Sequence, residues 1–141
     1  MSPVNTRRVA LGALVGAVVW FLWSSFVNDV ILKTLYADAQ ASGELLKEPR
    51  YHLFVLYWFV TLLVVSYVLA WLYAGVRATY GAGPNTALKA GIYAGFAIAF
   101  PLNLTAASWE PISRKFPLWW MLDLWVGAIL STFVAAWLYR D

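Results

Sequence analysis

The stretch PLWWMLDLWVGAILSTFVAAWLY, residues 117–139, carries a single charged side chain, Asp123, among residues otherwise suited to hydrocarbon. A membrane span needs roughly 20 consecutive, mostly apolar residues. Residues 9–27, 52–73 and 88–107 meet the same standard. The chain is therefore expected to be all-α: a polytopic membrane protein of four transmembrane helices, forming one domain over residues 1–141. Nearly everything else is turn, except a connection over 28–51 long enough to fold on the membrane surface.

Composition agrees. Hydrophobic residues make up 62% of the chain and charged ones 12%, against about half and a quarter in soluble domains. The net charge of +3 is spread over short connections, with no basic stripe of the kind that binds nucleic acid. The chain has no cysteine, which excludes disulfides and thiolate metal ligands. Arg7 and Arg8 precede the first apolar run in the manner of a secretory signal. That run is too long for a signal core, and the small-x-small site at Ala37 and Ala39 lies well beyond it, so the first helix is expected to be retained.

Small residues mark faces on which helices approach closely. Gly12 and Gly16 form one GxxxG pair, Gly91 and Gly95 another, and Asp123, Gly127 and Ser131 fall on one stripe of the fourth span. The second and fourth spans also end alike. Val68, Ala70, Trp71, Leu72 and Tyr73 recur as Val134, Ala136, Trp137, Leu138 and Tyr139, with Ser66 and Thr132 in register. A duplicated helical hairpin, related by an axis along the membrane normal, is the simplest reading. Chance recurrence in a small membrane bundle is the alternative. Within 28–51, Ile31, Leu35 and Ala39 recur at helical spacing. That pattern suits a short amphipathic helix in the interface or a first helix that simply runs on. Gly81, Gly83 and Pro84 form a tight break, with Asn85 as the expected N-cap of the third helix.

Asp123 is the residue that composition does not explain. An ionisable group inside a span costs about 2.5–3.5 kcal/mol, so by default it faces the bundle interior and marks a candidate site. Asn103, beside the helix-distorting Pro101, lies deep in the third span. In an alternating topology Asn28, Asp29, His52 with Tyr57 below it, and Glu110 end near the same level. The functional reading is an outward polar pocket of Asp123, Asn103, Tyr57, His52, Glu110 and Trp125. The competing reading is that interfacial residues are simply polar, with Asp123 paired to Asn103, Tyr57 or Arg114. His52, Glu110 and Asp123 lack the fixed spacing of a metal motif, so no metal is assigned, and no cofactor is identified. No G-x-S-x-G or S-x-x-K occurs, and the chain reads as having no enzymatic activity. Of the nine tryptophans, Trp20, Trp23, Trp109, Trp119 and Trp120 read as one aromatic belt and Trp71 and Trp137 as the other. Trp58 and Trp125 lie deeper.

The aromatic-serine ending of the first span, Trp23-Ser24-Ser25, and the glycine-rich third span resemble small bacterial four-helix integral membrane proteins catalogued as a domain of unknown function. The resemblance covers most of the chain. It implies a four-helix fold in the bacterial cytoplasmic (inner) membrane, and it supplies no catalytic residue. Two functions are expected from these observations. One is a non-enzymatic protein acting through helix packing among membrane lipids, as a homo-oligomer or as an accessory subunit of a larger membrane complex. The other is a transporter or a protein binding a small molecule or lipid through the pocket around Asp123.

Basic residues divide evenly between the two sides, with Arg7, Arg8, Arg77, Lys89 and Arg140 opposed by Lys33, Lys47, Arg50, Arg114 and Lys115. Orientation then follows the helix that inserts first, which places both termini in the cytoplasm. Cysteines introduced singly at Ser2 and Ser42 have no native thiol to compete with them. In intact cells an impermeant maleimide is expected to label the Ser42 position and spare Ser2, and the reverse pattern inverts the topology.

Overall fold

The computed structural model describes residues 3–139, so Arg140, assigned above to the side of the termini, lies outside the described residues. The elements are helices α1 (Thr6–Phe26), α2 (Lys33–Ser42), α3 (Phe54–Tyr80), α4 (Pro84–Trp109) and α5 (Lys115–Leu138), with no strand among the described residues. All but α2 are long and apolar enough to cross a membrane. The chain is an all-helical integral membrane protein with four candidate spans. The spans run further than the apolar segments alone suggest because polar end turns continue them.

The first span shows this best. Instead of stopping at Val27, it continues through a π-helical turn, Val27–Ile31, in which the Leu32 N–H reaches the Val27 carbonyl at 2.9 Å. Such widened turns are rare and recur where side chains must be re-aimed. Leu32 then breaks the helix. The amphipathic α2 folds across this end of the bundle, with Leu32 and Ala39 buried against Val27 and Phe116. Gly43, in the left-handed conformation at φ 83°, terminates it. The segment thus contains, in sequence order, a run-on of the first helix and then a separate short helix. At the other end Gly81 and Gly83 take positive φ. Pro84 occupies the first helical position of α4 with Gly83 as its cap, which corrects the assignment of Asn85. Proline suits that position because its missing N–H has no partner to lose there.

α5 is the hub, packed against α1, α3 and α4, while α3 and α4 share only a short seam. Along α1 and α5 the contacts step by four residues in opposite directions. A Cβ built on Gly12 would lie 2.9 Å from the Ala135 Cα, and one on Gly16 would lie 2.6 Å from the Ser131 Oγ. A turn further, one on Gly127 would collide with the Trp20 indole. Trp20 is therefore a fully buried core residue rather than part of an aromatic belt. Trp109 and Trp137 do stand exposed, at 85% and 78%.

The second glycine pair closes on α5 too. Gly91 abuts Ile129, and Gly95 abuts Trp125 and Ala128. A two-fold pairing of Gly12 with Gly91 would place the second pair on α3 instead, so the odd spans do not follow the duplicated-hairpin expectation. Their glycines serve two different faces of one helix. The even spans do keep a related feature, since Tyr73 and Tyr139 are both buried and meet edge to face at 6.4 Å.

Overpacking a close contact costs about 1–3 kcal/mol. Gly16→Ala and Gly127→Ala are expected to lose stability on that scale in reversible detergent unfolding. Gly75→Ala, where an added Cβ meets nothing within 4 Å, is expected to be neutral or slightly stabilising through helix propensity.

Candidate functional site around Asp123

The four-residue ladder between α1 and α5 ends in polar groups. One turn beyond Trp20 and Gly127 come Ser24 and Asp123, both 2% exposed. Eight residues into α5, Asp123 sits about 12 Å along the axis from the helix start at Lys115. The Ser24 hydroxyl donates to Asp123 Oδ2 at 2.9 Å, and the Asn28 amide donates to the same oxygen at 3.2 Å. The Asn28 amide also reaches the Ser24 carbonyl at 2.8 Å. Trp23 donates its indole N–H to the Asp123 carbonyl at 3.1 Å, and Trp58 from α3 donates to Ser24 Oγ at 3.0 Å. Four side chains thus hold one residue of α5 in place, directly or through Ser24.

The network extends to the surface helix. The Tyr36 hydroxyl donates to Asn28 Oδ1 at 2.7 Å and accepts the Trp120 indole N–H at 2.7 Å. Burial raises the Tyr36 phenol above its ordinary pKa, and the Trp120 hydrogen bond opposes this only in part. Tyr36 therefore remains a neutral hydroxyl, able to donate to Asn28, at physiological pH. Among the described residues Asp123 Oδ1 has no hydrogen-bond partner, and neither has Trp20 Nε1. Among the described residues no lysine or arginine pairs with Asp123, and the nearest bases in sequence, Arg114 and Lys115, are exposed.

Beside this network lies a cavity of about 330 Å³, lined by Asn28, Tyr36, Trp58, Asn103, Trp120 and Asp123 and walled by Phe54, Leu102 and Leu124. Of the six residues expected at the site, the structure brings Asp123 and Asn103 to it. Asn103 does not pair with Asp123; its amide turns back to the Ala99 carbonyl at 2.8 Å. Tyr57 is half exposed and stacks edge-on against Tyr51. His52 and Glu110 are exposed in turns. Trp125 belongs to the α4–α5 seam, donating to the Ile92 carbonyl at 3.1 Å and meeting Phe100 edge to face. Tyr57 and Arg114 are likewise not the partners of Asp123. His52, Glu110 and Asp123 do not come together, and among the described residues no three groups of metal-ligating type cluster.

The residues that sequence reasoning passed over are Ser24, Asn28, Tyr36 and Trp120. Ser24 and Asn28 carried a signal, since they continue the four-residue stripe of Gly12, Gly16 and Trp20. Tyr36 carried none, because its role depends on how α2 folds back. Comparison with family models, curated proteins and solved structures returned no match.

Removing a buried hydrogen-bond partner costs about 1–3 kcal/mol. Ser24→Ala leaves both Trp58 and Asp123 short of one bond and is expected to lower stability by that amount. Ser25→Ala, one residue away and outside the network, is expected to change it by less than half as much. Equal losses in detergent unfolding would show that the network contributes nothing beyond local packing.

Proposed function

We propose that the chain is a non-enzymatic membrane protein that binds a small molecule in the cavity around Asp123, as a receptor, carrier or transporter of that ligand. The observation that carries this reading is a buried carboxyl group, with no basic partner among the described residues, on the wall of a 330 Å³ cavity. An ionisable group inside a span is costly, and by default it marks a candidate functional site. The cavity falls at the lower end of the size range of ligand sites, which combine apolar walls with a few convergent polar groups. In the proposed orientation both termini are cytoplasmic, in a bacterial inner membrane. The cavity then lies toward the outer face, under α2, and membrane lipids surround the bundle.

Action through helix packing, in a homo-oligomer or as a subunit of a larger complex, has less support. Gly12, Gly16, Gly91, Gly95 and Gly127 are all buried within one chain, which leaves none of these small-residue contacts for a second copy.

Native mass spectrometry of the gently solubilised protein separates the two. The expected spectrum is a monomer carrying a small-molecule adduct that is lost in Asp123→Asn, a change that preserves the acceptor used by Ser24 and Asn28. A ligand-free oligomer would favour the packing role.

A further inference from the structure

The hydrogen-bonding groups of the cavity are one-sided. Its donors are almost all engaged inside the protein: Trp58 on Ser24, Trp120 on Tyr36, Tyr36 on Asn28, and the Asn28 amide on Ser24 and Asp123. Asn103 directs one amide hydrogen to Ala99 and retains the other. Against that single donor stand two acceptors without a hydrogen-bond partner among the described residues, Asn103 Oδ1 and the buried Asp123 Oδ1. An anionic head group would meet a buried carboxylate with nothing to offset it. A bare metal ion would find too few oxygens among the aromatic walls. A protonated amine suits both features, since it donates to carboxylate and amide oxygens while aromatic side chains, here Trp58, Trp120, Phe54 and Tyr36 in the lining, favour a cation.

The walls also say how the rest of the occupant lies. Phe54 from the start of α3 and Leu102 from α4 flank the cavity and are 47% and 75% exposed. They stand on two helices that share only a short seam with one another. Within a span, the surface they expose faces hydrocarbon. We propose that the cavity receives a cationic amphiphile from the lipid side. Its ammonium group seats against Asp123 and Asn103, and its apolar chain passes out between α3 and α4 beside Leu102. This assignment rests on the ligand-binding reading above and names the class of ligand.

The test uses the full chain in nanodiscs of phosphatidylcholine, with empty nanodiscs as the partition control. Three probes share one tail: decylamine, which is protonated at neutral pH, decanol and decyl sulfate. Decylamine is expected to bind about tenfold or more tightly than the other two, the preference that a hydrogen bond to a charged group supplies. Asp123→Asn is expected to remove that preference. Asn103→Leu, whose amide bonds only its own helix, is expected to weaken decylamine binding and covers the case in which the Asp123 variant folds poorly. Leu102→Trp, narrowing the mouth, is expected to slow association.

Equal binding of all three probes, unchanged in Asp123→Asn, would overturn the cationic class while leaving a ligand cavity standing. Association unchanged in Leu102→Trp would overturn the lateral route. If no probe binds but the purified protein carries an adduct, the class is wrong and the ligand reading survives. If there is neither binding nor adduct, both fall.

Discussion

The contact on which the rest of the structure depends is the ladder between α1 and α5. In lipid, apolar side chains gain little by leaving one apolar solvent for another, so helices associate through close van der Waals fit and hydrogen bonds. The ladder supplies both in sequence. Small residues at Gly12 and Gly16 admit the backbone of α5 at Ala135 and Ser131. The size relation then inverts, with Trp20 on α1 filling the space that Gly127 leaves on α5. A slip of one turn in either direction would drive the Trp20 indole into Asp123 or Ser131 and leave the Gly127 hollow empty. The register is thus fixed by steric complementarity, and the polar pair at the next step, Ser24 and Asp123, is placed by it.

The same helix explains the shape of the bundle. With α1 on one side of α5 and α4 on another, each brought close by its own glycine pair, α3 has no glycine contact of this kind and meets α4 only over a short seam. Helix packing is therefore tightest on the sides of α5 that carry Ala135, Ser131 and Gly127 and the Ile129–Trp125 face. It is loosest between α3 and α4, where the cavity finds its walls.

Much of this was legible in the sequence, and the limits of that reading have physical causes. The four spans follow from length and hydropathy, since any shorter apolar run would leave backbone polar groups in hydrocarbon. The burial of Asp123 followed from its depth and from the small-residue stripe it begins. What a single sequence does not state is which helix faces which. The two GxxxG pairs read as symmetry mates, whereas the structure directs both at α5. Asn103, at a similar depth to Asp123, read as its partner, whereas Ser24 and Asn28 hold that place. Periodicity identifies a face but leaves its counterpart open. Asn28, which read as the polar end of a span, is a donor to a buried carboxyl group because it continues the stripe that carries Ser24.

The hydrogen bonds beyond Asn28 join the surface helix to this interior. Trp120 donates to Tyr36, Tyr36 to Asn28, and Asn28 to Asp123. Trp120 and Asp123 stand on the same helix three residues apart, so the chain of bonds leaves α5, passes through α2 and the end of α1, and returns to α5. A closed circuit of this kind constrains all three elements at once. The position of α2 over the bundle cannot change without altering a partner of Asp123, and polarisation along successive bonds strengthens the circuit as a unit. Tyr36, kept protonated by burial, is the one link contributed by α2. The segment that looks most like a loop in the sequence is in this way bound to a carboxyl group buried deep in a span.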